Sequence, residues 1–178
     1  SGPHYQKLSL STVEKQTFVS KEDLDTLFMQ TQYVNADEKN PLFITISRRL
    51  SKDSQYELAK ILLHHTDTLT SDEFEEKHLL LAQQHLNLRQ FNQAYQALKK
   101  LHGTQAIFSP RYQLLSAWYH YEKESYSSYL ITLNDAISAA KISNPQLAKS
   151  LILTTWKSIQ LANPSQLSQL NAHPNTTI

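Results

Sequence analysis

A chain of 178 residues with 40% hydrophobic and 19% charged side chains is long enough for a contiguous core and too apolar for disorder. A net charge of +1 with interspersed signs leaves no basic stripe for a nucleic acid, and the absence of cysteine excludes disulfides, thiolate metal sites and cysteine nucleophiles. The two glycines, Gly2 and Gly103, are too few for a phosphate loop, a dinucleotide fingerprint or the turns of a β-sandwich, and favour helices joined by short polar turns.

Residues 1–19 are polar and unpatterned and are expected to be extended or mobile. Ser1 and Gly2 read as a processing or tag scar, so the chain is expected to be a fragment from which a signal or lipid-anchor segment has been cut. No apolar run reaches the roughly 18 residues of a membrane span. Ser20 with Asp23, and Thr70 with Glu73, read as capping boxes. Asn40-Pro41, Ser109-Pro110, Asn144-Pro145 and Asn163-Pro164 each place a cap residue before a proline, which has no N–H to leave unpaired at a first helical position. With the apolar spacing between these starts, helices are predicted over 22–34, 41–50, 54–66, 71–88, 91–102, 110–123, 126–141, 145–161 and 164–170. The fold class is all-α, with eight or nine helices in a domain over 20–170. Residues 171–178 read as a tail or a linker to a missing C-terminal domain.

A shift of 35 residues aligns the chain with itself. Ile44, Leu79 and Leu114 coincide, as do Ser47, Ala82 and Ala117. Tyr56 meets Phe91 and Tyr126, and Leu63 meets Leu98 and Leu133. Ala59 and Ala94 supply a further small column, which Tyr129 breaks. Small residues let a first helix approach a second, the aromatic fills the gap by the turn, and the leucine two turns later lies on the same face. This order resembles the tetratricopeptide repeat, an α-solenoid of helical hairpins, although the usual glycine at the intra-repeat turn is absent. A fourth unit, carrying Leu151, Ile152, Trp156 and Ile159, is weaker. A short last helix with Leu167 and Leu170 is expected to cap it.

Eight histidines raise the question of a metal. His78, His85 and His120 are spaced so that three imidazoles are conceivable together, yet no His-Glu-x-x-His motif or carboxylate at ligand spacing accompanies them, and Leu50 holds the same column in the first unit. No metal, cofactor or catalytic residue is expected. His64-His65 reads as a helix end, where imidazolium suits the dipole. Asp72, Glu73, Glu75 and Glu76 read as a favourable acidic first turn rather than paired catalytic carboxylates. Trp118, Tyr119, Tyr121, Tyr126 and Tyr129 crowd one hairpin. The column Arg48, Gln83, Trp118 lies one residue past the small position, where a tetratricopeptide array faces its concave groove, so these three are the candidate partner-binding residues. A carboxylate clamp is not reproduced, since Ile44, Leu79 and Leu80 stand at its positions.

Three segments, 74–101 (FEEKHLLLAQQHLNLRQFNQAYQALKKL), 109–137 (SPRYQLLSAWYHYEKESYSSYLITLNDAI) and 148–170 (AKSLILTTWKSIQLANPSQLSQL), make most of residues 40–170 resemble the N-terminal domain of the LppC/LpoA family. These are outer-membrane lipoproteins that activate class A penicillin-binding proteins. Trp156 followed by Asn163-Pro164 and Leu167 is the most distinctive piece. The resemblance implies a periplasmic, lipid-anchored full-length protein that aids peptidoglycan synthesis, with this domain as a non-catalytic scaffold and interaction surface. Its partner would be a peptidoglycan synthase or another envelope component, and not nucleic acid. The alternative from the repeat alone is a generic adaptor that binds a peptide or protein in its groove.

Overall fold

Local chemistry places the helix starts. The Ser20 side chain accepts the Asp23 N–H while the Asp23 carboxylate takes the Ser20 N–H, and Thr70 and Glu73 repeat the arrangement. Ser109 caps through the Tyr112 N–H at 3.2 Å with Pro110 at the first helical position. Asn144 Oδ1 accepts from the Leu147 N–H at 3.2 Å, ahead of Pro145.

The structure, a computed structural model, describes residues 9–160. Helices α1 Leu10–Glu14, α2 Lys21–Thr31, α3 Ala36–Lys52, α4 Tyr56–His64, α5 Ser71–Asn87 and α6 Phe91–Lys99 are followed by a 3₁₀ turn, Gln105–Phe108, and then by α7 Pro110–Glu122, α8 Tyr126–Ser143 and α9 Pro145–Gln160. Among the described residues there is no strand, and the fold is all-α. The helix expected at 164–170 and the tail at 171–178 lie outside the described residues. Two compact units are present, Ser1–Leu88 and Arg89–Ile178.

In the first unit α3 packs on α4 and α5, α4 on α5, α1 on α3 and α2 on α4. The core is built from Val13, Phe18, Leu24, Leu27, Leu42, Phe43, Ile46, Leu50, Leu58, Ala59 and Leu62. Two expectations need correction here. The segment expected to be extended or mobile contains α1, and it buries Val13 and Phe18 in the core. Leu10 and Val13 alone stand at a helical spacing and Phe18 lies beyond α1, so too few apolar residues recur to announce the helix. Second, Asn40-Pro41 is not a helix start. The helix begins at Ala36, with Asp37 and Glu38 suited to its dipole. Pro41 sits inside it, where its missing N–H removes the bond to the Asp37 carbonyl. Asn40 is instead fully buried, and its Nδ2 donates to the Asp67 carbonyl at 2.6 Å, tying α3 to the α4–α5 connection.

In the second unit α7 packs on α6 and α8, and α8 on α9. Its core joins Ala117, Tyr126, Tyr129, Leu130, Leu133, Ala136, Ile137, Ala140, Ala148 and Leu151.

The 35-residue period recurs in the backbone. Helices α3, α5 and α7 end at Lys52, Asn87 and Glu122, and α4, α6 and α8 begin at Tyr56, Phe91 and Tyr126. Between them Ser54, Arg89 and Glu124 take φ of 60°, 58° and 57°. In the first and third turns the next N–H reaches back to close the helix, Gln55 to the Leu50 carbonyl at 2.8 Å and Ser125 to the His120 carbonyl at 2.9 Å. This is the left-handed helix stop in which glycine is usual. Here serine, arginine and glutamate occupy it. The small column is buried at every position, Ser47, Ala82 and Ala117, as is the leucine column, Leu63, Leu98 and Leu133. Ser47 Oγ lies 3.5 Å from the Ala59 carbonyl, a measure of how closely α3 and α4 approach.

Candidate interaction surfaces

Arg48 projects from α3 into solvent and donates through Nε to Glu76 Oε1 of α5 at 3.0 Å. Its side chain is half exposed, and that of Glu76 is mostly covered. Gln83 stands on α5, half-buried. Arg48 and Gln83 therefore sit on adjacent packed helices of the first unit. Trp118 belongs to α7 of the second unit and is half-buried beside the buried Ala117. Of the four acids expected in the first turn of α5, Asp72 and Glu73 lie there and Glu73 completes the helix cap, whereas Glu76 lies one turn further on and pairs with Arg48.

The aromatic residues of the α7–α8 hairpin separate into two groups. Tyr126 and Tyr129 are buried, 5.9 Å apart between ring centroids, and both reach α9. The Tyr126 hydroxyl donates to the Ser158 carbonyl at 2.5 Å, and the Tyr129 hydroxyl lies 2.9 Å from Ser158 Oγ. Tyr121 packs against Tyr129 but remains largely exposed. Tyr119 turns the other way, toward Tyr95 of α6 at 5.6 Å. Tyr112, seven residues before Tyr119 and so on the same face, has its hydroxyl pushed above the ordinary range by burial and then by Tyr95. Tyr95, Tyr112 and Tyr119 thus form a partly exposed aromatic patch. Tyr95 is not legible in the sequence, because its column holds Lys60 and Leu130 and carries no aromatic period. On α9, Leu153 and Trp156 are exposed as well.

His65 and His78 are engaged by carbonyls one turn back along the chain. His65 Nδ1 meets the Ile61 carbonyl at 2.8 Å, and its ring stacks on Phe28 of α2 at 3.9 Å. His78 Nδ1 meets the Phe74 carbonyl at 2.8 Å. Burial holds His120 below the ordinary imidazole range. Among the described residues no three histidine, aspartate or glutamate side chains gather where they could hold a metal ion, and no helix is long and apolar enough to cross a membrane. No family model, curated protein or solved structure matches the chain.

Proposed function

We propose that this chain is a non-catalytic protein-interaction and scaffold domain, folded as a tetratricopeptide-like α-solenoid. The observation that carries the reading is the recurrence of one turn, with left-handed Ser54, Arg89 and Glu124, at 35-residue spacing. Repeated helical units of this kind present extended surfaces, and their chemistry is recognition by side chains along successive helices. Arg48, Gln83 and Trp118 are the partner-binding residues of this reading.

We further propose that the domain belongs to a periplasmic outer-membrane lipoprotein that activates a class A penicillin-binding protein. The support is the resemblance of segments 74–101, 109–137 and 148–170 to the LppC/LpoA family. The test is direct binding, by calorimetry, of the full-length protein to the purified periplasmic region of a class A synthase, with stimulation of glycan polymerisation as the second readout. Saturable binding and stimulation are expected. Neither effect, together with a gene product that lacks a lipobox cysteine, would overturn the envelope assignment.

The second reading, a generic peptide adaptor, is favoured by the Tyr95–Tyr119 pair, since half-exposed aromatic rings make good anchors. It predicts that alanine at Tyr95 or Tyr119 weakens capture of the partner more than alanine at Arg48.

A further inference from the structure

Helix α9 carries apolar side chains on two sides. On the side that α8 covers, Ala148 and Leu151 enter the core, and Leu147, Ile152 and Ile159 pack against it from the margins. The other side follows from the helical period: Leu153 lies one turn after Lys149, and Trp156 and Lys157 lie two turns after it, so the four form one stripe. Leu153 is 62% exposed and Trp156 51%, and both lysines are exposed. Core packing therefore accounts for neither apolar residue. Charge here is one-sided as well. After Asp135 the chain has no aspartate or glutamate, whereas Lys141, Lys149 and Lys157 follow. Earlier helices instead pair opposite charges, Arg48 with Glu76 and Arg89 with Glu122. A leucine and a tryptophan flanked by lysines complement a surface that is anionic outside and apolar beneath.

We propose that the outer stripe of α9, formed by Lys149, Leu153, Trp156 and Lys157, binds the surface of an anionic lipid bilayer. The helix lies along the surface and does not cross it. Leu153 and the Trp156 indole enter the boundary between headgroups and acyl chains, where tryptophan is favoured because its ring is apolar and its N–H polar. Lys149 and Lys157 lay their aliphatic stems along that boundary and bring their ammoniums to lipid phosphates. A specific protein interface buries about 800 Å² on each partner and needs a matching shape. A fluid bilayer moulds itself to a single convex helix, and so suits this stripe better. The stripe shares no residue with Arg48, Gln83 and Trp118, so its failure would leave the scaffold reading standing.

The experiment uses the whole chain with vesicles of phosphatidylglycerol and phosphatidylcholine in equal parts, against phosphatidylcholine alone. Sedimentation reads binding directly. Trp118→Phe leaves Trp156 as the single tryptophan, whose fluorescence reads its depth. With the anionic vesicles alone, Trp156 emission should move to shorter wavelength and brominated acyl chains should quench it. Binding should weaken as sodium chloride rises from about 0.02 M to about 0.2 M. The Lys149→Gln/Lys157→Gln pair should lower the partition coefficient on the order of tenfold. Leu153→Ser/Trp156→Ser should abolish sedimentation with helicity unchanged, and if that pair fails to fold the glutamine pair carries the comparison. No sedimentation with anionic vesicles, or equal binding by the glutamine pair, would overturn the proposal. So would Trp156 emission that is already at short wavelength in the free chain and insensitive to lipid, which marks a stripe covered by residues 161–178. Binding to polyglutamate but not to vesicles would replace the bilayer with an acidic protein.

Discussion

The Arg49 guanidinium lies over the Phe18 ring, 5.6 Å from its centroid. The same group donates through Nη1 to the Glu14 carbonyl and through Nη2 to the Gln16 carbonyl, the latter at 2.7 Å. One side chain of α3 thereby fastens the whole stretch between α1 and α2. Arg49→Met keeps much of the stem and removes the donors, and is expected to cost about 1.5–3 kcal/mol in urea unfolding. Hydrogen exchange should rise first at residues 10–18. Unchanged exchange there would mean that Val13 and Phe18 hold the segment by burial alone.

The left-handed turns give a second prediction. A side chain at φ near +60° costs roughly 1–2 kcal/mol against glycine. Ser54→Gly and Glu124→Gly should each raise stability by about 1 kcal/mol, read as a higher urea midpoint at constant m-value. Arg89→Gly should gain less, because Arg89 also lies 5.0 Å from the centroid of the Phe91 ring and pairs with Glu122 at 3.2 Å. Equal gains at all three positions would show that those contacts contribute nothing.

Buried and surface members of the repeat columns should respond differently. Leu98→Ala is expected to cost about 2–5 kcal/mol, as buried leucine truncations do. Arg48→Ala should cost at most about 1 kcal/mol, because its ion pair is half solvated. The combined Arg48→Ala and Trp118→Ala variant should lose partner binding while its thermal midpoint stays near that of the parent. A collapse in melting would reassign Trp118 to the core.

Acid should weaken the fold through two histidines. Burial is the first cause that lowers both His64 and His120, and at His64 the bases Lys77, His85, Lys60 and His65 add to it. The unfolded chain keeps the ordinary value near ~6.5. Above that pH both states are neutral and the two residues contribute nothing. As the pH falls through it, the unfolded chain takes up protons first, so stability declines until the pH passes the lowered folded values. The urea midpoint should be lower at pH about 5.5 than at about 7.5, and His120→Gln should flatten that slope. A slope unchanged by His64→Gln and His120→Gln together would remove these residues from the account.

The sequence exposes what is periodic and hides what is solitary. Tyr56, Phe91 and Tyr126 mark the three turns because an aromatic at one helical position repeats, and the backbone turns at those places. Ser20 and Thr70 are legible because a cap needs a particular side chain at a particular offset. Asn40 misleads because the same dipeptide that opens a helix can sit within one, and only burial and the Asp67 carbonyl reveal which applies. Val13 and Phe18 carry no period, so nothing in the pattern announces that they belong to the core. The surface residues were the least legible. The Arg48–Glu76 pair spans 28 residues and the Tyr95–Tyr119 contact joins two helices, and neither follows from the repeat length.

The absence of glycine from the three turns has a practical consequence. Ser54, Arg89 and Glu124 each carry a Cβ at the tip of a helix stop, so every turn offers an attachment point of fixed direction. In a chain without native cysteine, a single cysteine at any one of them would take one label, uniquely. Reporters at 54, 89 and 124 would then tell whether the three turns lose their structure together or one after another.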